Sequence, residues 1–309
     1  MKSLPIYQAL GLRDPEQTFD FLVNTFSDAV RGWDYFVNWD KVFRNINTQS
    51  DSLSRWQSLV GKTNFDFEFR QLVKDHPDLV QSIPSLVVRD GSDSRSFQIL
   101  VNSDGKKIRQ VFDFTKPATT SEEIEKALTF VKNTGLSRLF IEGAITNVQD
   151  YILGVEAGID SHGRKNRSGT AMEMLVHSEI ENLVKKNPGW KFMSQATQTS
   201  LENEWNLTFP EPRSTRRSDF AVQADGELFL IEVNLFGGGG SKLKSVAGEF
   251  QTLADELRKK SVTLIWITDG LGWKTAIRPL HDAFKTIDYI LNLELVAQGA
   301  LAEAISRAH

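Results

Sequence analysis

Residues 216–242 read RRSDFAVQADGELFLIEVNLFGGGGSK, and the Asp225-Gly226 pair at their centre fixes more than any other feature of the chain. An Asp-Gly pair between two apolar runs favours a two-residue type I′ hairpin, because glycine accepts the positive φ that such a turn demands. Counting outward from that turn sets the register: Ala224 faces Glu227, Val222 faces Phe229, and Phe220 faces Ile231. Asp219 then falls opposite Glu232. Directly opposed residues share one face of a sheet, with Cβ atoms about 4.5–5.5 Å apart. Asn234 projects from that face too, since strand side chains alternate with a period of two. Glu232 thus interrupts the apolar run LFLIEV, where an unpaired charge is costly.

The segments around the hairpin extend this core. Gly237–Gly240 ends the second strand. Ser241 is expected to cap a helix to about Lys260, with Leu243, Val246, Phe250, Leu253 and Leu257 on one side. Val262–Thr268 (VTLIWIT) reads as a strand buried on both faces, joining the sheet parallel to the second hairpin strand through that helix. Upstream, Thr170–Lys186 reads as an amphipathic helix with Met172, Leu175, Val176, Ile180, Leu183 and Val184 inward. Glu173 and His177 project together from a neighbouring face. Gly158–Gly169 reads as a basic loop and 187–215 as a polar one.

The first half reads as mainly helical. A helix opens at Pro15, and another runs from Ser121, as its cap, to Asn133. Ser96–Asn102 and Ile108–Phe114 form a hairpin about Asp104-Gly105. Trp33, Tyr35, Phe36 and Trp39 are expected to be core packing rather than a DNA-stacking patch. The expected organisation is a helical 1–150 region with a β-hairpin, contributing to DNA binding, followed by an α/β core at 151–309 with a mixed sheet flanked by helices.

Composition narrows the chemistry. The chain has no cysteine, which excludes disulfides, thiolate zinc sites and a cysteine nucleophile. Five histidines without an H-x₃-H pair leave little for an imidazole site, so a bound metal would be held by oxygen, favouring Mg²⁺. Two facing carboxylates at Asp219 and Glu232 repel unless a cation lies between them. Basic residues flank them: Arg164, Lys165 and Arg167 with Asn166, and Arg213, Arg216 and Arg217. Beside a carboxylate site these are candidates for phosphate contacts or guanine reading, with Gly238, Gly239 and Ser241 allowing close approach of a polymer backbone. GGGGSK is not a nucleotide loop, because that motif ends Gly-Lys-Ser/Thr. A net charge of −4 argues against a general nucleic-acid coat but allows a local basic cleft. Met1–Leu12 lacks the pattern of a signal peptide and no run is long enough to span a bilayer, so a cytoplasmic location without membrane partners is expected.

Asp219, twelve residues, then Glu232-Val233-Asn234 behind a Glu-bearing helix resembles the restriction-endonuclease-like nucleases, whose pattern is Asp, spacer, Glu-x-Lys. Two longer strings, GIDSHGRKNRSGTAME (158–173) and FLIEVNLFGGGGSKLKSVAGEF (229–250), resemble type II restriction endonucleases of the DpnII/MboI group. The resemblance implies a homodimer that cuts duplex GATC on the 5′ side of G, leaving 5′-phosphates. It further implies Mg²⁺ dependence, blockage by adenine methylation and pairing with an adenine methyltransferase. Asp219, Glu232 and the Val233 carbonyl are then expected to hold Mg²⁺, with Glu173 completing the shell or orienting water. Asn234 stands at the lysine position and cannot supply its charge. Lys242 or Lys244 is the candidate replacement, Lys242 being nearer the glycine turn; a solvated helix face is the alternative for each. A repair or structure-selective nuclease of the same fold, and a non-cleaving DNA-binding regulator, stay open; a small-molecule α/β enzyme is disfavoured.

Overall fold

A computed structural model describes residues 1–87, 95–103, 106–207 and 216–306. The chain forms two compact units, one of Trp33–Arg164 and the other of Met1–Gly32 with Lys165–His309.

The Trp33–Arg164 unit is helical apart from one antiparallel hairpin, β1 (Ser96–Ser103) with β2 (Lys106–Asp113). The expected turn residues Asp104 and Gly105 lie outside the described residues. The aromatic core is built by Trp56, Phe65, Phe69 and Phe140, whose rings lie 5.7–6.0 Å apart. Trp56 Nε1 donates to Ser82 Oγ at 2.7 Å, so the indole is buried without an orphaned N–H. The expectation that the 33–39 aromatics pack a core is wrong. Trp33 is fully exposed, Phe36 and Trp39 are largely so, and Trp39 stacks on the exposed Phe43 one turn on. The Ser121–Asn133 helix has the expected bounds, but Thr120 caps it, in a reciprocal box with Glu123.

The expected basic loop 158–169 is also corrected. Val148–Ser161 is one helix, capped by Asn147, and Arg164–Lys186 is the next; only His162 and Gly163 separate them. The polar run is the solvated start of a helix. Arg and Lys are good helix formers, so polarity there did not signal a break.

The second unit is built on a five-stranded sheet in the order β3 (Lys191–Thr197), β4 (Arg217–Ala224), β5 (Glu227–Leu235), β6 (Val262–Asp269), β7 (Tyr289–Leu291). The β3–β4 and β4–β5 pairs are antiparallel, while β5, β6 and β7 run parallel. The hairpin register is the expected one, from Ala224↔Glu227 through Val222↔Phe229 to Phe220↔Ile231. Asp225 and Gly226 have φ of 51° and 88°, as a type I′ turn requires. The Ser241–Lys259 helix makes the crossover to the buried strand β6. Its cap is Gly240, however, and Ser241 is already its first residue. β3 and the Gln198–Trp205 helix occupy part of the segment expected to be a polar loop. β3 is an edge strand in which only Ala196 is fully buried, so it carries no clear apolar alternation.

Residues 1–32 belong to this sheet unit, not to the helical one, because buried polar groups hold them there. Asp269, fully buried at the end of β6, accepts from the backbone N–H groups of Ser27 (2.6 Å), Gly270 (2.7 Å) and Leu293 (3.1 Å). Asn292 donates to Leu22 O (3.0 Å) and Thr25 Oγ1 (2.7 Å). Removing the Asp269 carboxylate would leave these three amides without their acceptor. Asp269→Ala should therefore lower stability by on the order of 3 kcal/mol, at ~1–3 kcal/mol per buried group left unsatisfied. Asp269→Asn, which keeps one acceptor oxygen, should lose less. Urea unfolding of the two variants checks this, and an unchanged midpoint for Asp269→Ala contradicts it.

Candidate active site

The hairpin register carries Asp219 and Glu232 one step beyond the last ladder pair, Phe220↔Ile231. Here the ladder gives way to a side-chain bond: Asp219 Oδ2 accepts from the Val233 N–H at 2.8 Å. The β3 side opens at the same level. Ser194↔Phe220 and Ala196↔Ser218 pair, but Gln195, between them, has φ of 53° and is skipped. Its side chain hydrogen-bonds Asp219 instead. Both ladders thus part around Asp219, which leaves its carboxylate half-buried in a notch of the sheet.

Glu232 is 5% exposed. In the parallel register it lies beside Trp266, and Asn234 beside Thr268. Burial raises the pKa of both carboxyls. For Glu232 the Arg216 charge and hydrogen bond and the Ser218 hydroxyl oppose the rise, while Asp219 adds to it. For Asp219 the Val233 N–H opposes it first, then Arg216 and Arg217. The pair is therefore short of positive charge.

The positive group that does reach Glu232 is Arg216. Its Nε lies 3.2 Å from Glu232 Oε1, another guanidinium nitrogen lies 2.6 Å from Glu249 Oε1, and the group sits 5.2 Å above the Phe250 ring. Expected as a DNA contact, Arg216 is instead a buttress between β5 and the Ser241–Lys259 helix. Lys242 and Lys244 are exposed on the first turn of that helix, and neither forms an ion pair with a described residue. Asn234 Oδ1 accepts from Trp266 Nε1 at 3.0 Å, which orients the side chain and leaves its amide N–H₂ for another partner.

Glu173 projects from the Arg164–Lys186 helix, which buries Met172, Val176 and Ile180. Burial raises its pKa, the charge of Asp219 raises it further, and Arg217 opposes. A third carboxyl therefore feels Asp219 electrostatically. His177, on the same helix, packs edge-on against Phe192 (5.0 Å) and Phe220 (5.9 Å), a packing role. Among the described residues no three His, Asp or Glu side chains stand close enough to form a metal cluster on their own.

The remaining expected residues are dispersed. Arg164, Asn166 and Arg217 are exposed and Arg167 is half-buried. Arg213 and the Lys165 side chain lie outside the described residues. The glycine run serves packing at one position: a Cβ on Gly239 would sit 2.4 Å from Thr275 Oγ1, whereas Gly238 faces open space. Sequence reading missed Gln195, Ser218 and Glu249 altogether. Gln195 gave no signal, because its importance comes from an irregular backbone in an unrecognised strand.

No helix among the described residues is long and apolar enough to cross a membrane. The DpnII restriction endonuclease model matches residues 18–303. The chain is 37% identical over 294 residues to the type II restriction enzyme MjaIII of Methanocaldococcus jannaschii, covering 94% of this chain and 99% of that protein. It is 30% identical to the type II restriction enzyme DpnII of Streptococcus pneumoniae (90% and 94% covered) and 28% to MboI of Moraxella bovis (89% and 92%). No solved structure matches it. A match to the family model over residues 18–303 and to these enzymes over about nine-tenths of the chain, on a sheet that brings one buried and one half-buried carboxylate together, settles the assignment: the chain belongs to the DpnII restriction endonuclease family, the type II site-specific deoxyribonucleases.

Proposed function

We propose that this restriction endonuclease hydrolyses duplex DNA at GATC on the 5′ side of G, with Mg²⁺ held by Asp219 and Glu232. The observation that carries the reading is the pair itself: the buried Glu232 and half-buried Asp219 carboxyls, both of raised pKa, one step past the end of a ladder. The donor set fits the ion. It is all oxygen, and Mg²⁺ is commonly bound by one or two carboxylates, with water and substrate phosphate filling its other positions. Two protein carboxylates without a larger cluster suit that pattern. When bound, Mg²⁺ supplies positive charge at the scissile phosphate and acidifies the attacking water.

The chain's own groups do the rest. Asp219 is aimed by the Val233 N–H and Gln195, and Glu232 by Arg216 and Ser218. The Val233 carbonyl adds an oxygen to the ligand set. Glu173, with its raised pKa, accepts a proton or orients water, and the Asn234 amide N–H₂ donates to that water. Lys242 or Lys244 brings the charge that Asn234 lacks, to the phosphate. Arg164, Lys165, Asn166, Arg167, Arg213 and Arg217 bind the DNA backbone or guanine, with Gly238 and Ser241 at the strand-to-helix turn. A palindromic target with one cut per strand suits a homodimer, and a cognate adenine methyltransferase protects the host sites. The GATC target rests on the resemblance of 158–173 and 229–250 to the DpnII/MboI group.

Digestion of plasmid with and without adenine methylation tests the target: discrete GATC fragments only from unmethylated DNA are expected, and a smear or cuts elsewhere contradict it. Asp219→Ala and Glu232→Ala should each slow cleavage about a thousandfold or more, matching the several kcal/mol of charge stabilisation a bound divalent ion supplies. Normal cutting by either variant refutes the metal site.

Mg²⁺ should also raise the melting temperature of the wild type without DNA, and of neither variant, since binding to the folded state alone stabilises it by about 2.7 kcal/mol at a hundredfold excess over Kd. The ion needs ionised carboxylates. Because both pKa values are raised, this stabilisation should be full at neutral pH and fade on acidification at a pH above the ordinary carboxylate range. Persistence down to about pH 4, the ordinary carboxylate value, would argue against ligation by this pair.

A further inference from the structure

Among the described residues the β1–β2 hairpin is a two-stranded ribbon with no third strand. Its root is fastened. Phe97 and Phe112 pack on Phe130 of the Ser121–Asn133 helix at 5.5 and 5.3 Å. Beyond the root it is exposed on both faces: Ile99 and Ile108 on one, Leu100 (61%) and Val111 (45%) on the other. A free two-stranded ribbon is marginal in water. Exposed aliphatic side chains on both of its faces point to a partner.

The chemistry of one face says which. Strand alternation and the register Gln98↔Val111, Leu100↔Arg109, Asn102↔Lys107 put these six residues on one face. All six are exposed. Among the described residues, the side chains of Gln98, Asn102, Lys107 and Arg109 have no hydrogen-bond or ion-pair partner. Although the chain carries a net charge of −4, Lys106, Lys107 and Arg109 stand against a single acid, Asp104, between Ser96 and Phe112. A two-stranded ribbon fits the major groove, about 12 Å wide. There Arg pairs with guanine N7 and O6, Asn or Gln pairs with adenine N6 and N7, and an apolar side chain meets the thymine methyl.

We propose that the exposed face of the β1–β2 ribbon reads bases in the DNA major groove, with Arg109 on guanine, Gln98 or Asn102 on adenine, Leu100 on the thymine methyl and Lys107 on phosphate. This deepens the GATC reading and rests on it for the identity of the bases. A second protein copy suits the face less well, because four unpaired polar and charged groups beside two aliphatic ones would have to be desolvated together.

The test is binding by the full-length enzyme, with Ca²⁺ in place of Mg²⁺, to a GATC duplex and to duplexes with single base-pair changes. Arg109→Ala should weaken GATC binding about ten- to a hundredfold and lose discrimination at the G·C pair. Gln98→Ala with Asn102→Ala should do the same at the A·T pair. Lys107→Ala should weaken all duplexes alike and reduce the salt slope by about one. Melting curves and sedimentation of each variant report folding and oligomeric state. Variants that fold as wild type and keep its affinity and discrimination overturn the proposal, as do variants whose only defect is loss of the dimer. A wild type with no preference for GATC sinks the target reading separately. The ribbon is then judged on duplex affinity alone, and unchanged affinity in Arg109→Ala and Lys107→Ala overturns it.

Discussion

A carboxyl buried in the middle of a sheet has to be hydrogen-bonded, paired with a cation or protonated, and Glu232 is such a group. Left alone, an ion in that position is worth several kcal/mol of destabilisation. Arg216 answers it in part, and is itself held by Glu249 and seated on Phe250. One guanidinium therefore fastens the start of β4, the middle of β5 and the crossover helix. The answer is incomplete: the pKa of Glu232 stays raised despite Arg216, and Asp219 shares the deficit. Two neighbouring carboxyls with pKa values raised by burial are what the proposed site for a further positive charge rests on.

The sheet geometry makes that place accessible. A regular ladder at Asp219 would tie its backbone to strands on both sides and direct its side chain only by the pleat. Here β3 skips Gln195 at positive φ, and β4 meets β5 through the Asp219 carboxylate and the Val233 N–H. The irregularity is local, since the same strands pair regularly from Phe220 to Ala224. Strain of this kind persists where neighbouring structure over-determines it, and functional sites are where it gathers. The regular part of β4 and β5 and the parallel strand β6 supply that support.

What the sequence made legible follows from the range of each interaction. Asp225-Gly226 and a period-two pattern are local, so turn, register and the Asp219–Glu232 juxtaposition could be counted out residue by residue. The crossover to β6 was legible because a helix-length amphipathic run separates two apolar strands. Non-local facts were hidden. That Arg216 turns inward to Glu232 rather than outward depends on Glu249 and Phe250, more than thirty residues on. That residues 1–32 join the sheet unit depends on Asp269 and Asn292. The aromatic run 33–39 misled for the opposite reason: hydrophobicity predicts burial only on average, and Trp33 and Trp39 are among the exceptions.

The proposed chemistry depends on one placement, a divalent ion between Asp219 and Glu232. Crystals of the enzyme with a GATC duplex and Mn²⁺, which scatters anomalously, would locate it directly. The expected result is an anomalous peak within coordination distance, about 2.1 Å, of oxygens from both carboxylates and beside the phosphate to be cut. A peak bound elsewhere, with Asp219 still on the Val233 N–H, Glu232 still on Arg216 and neither touching the ion, would contradict it.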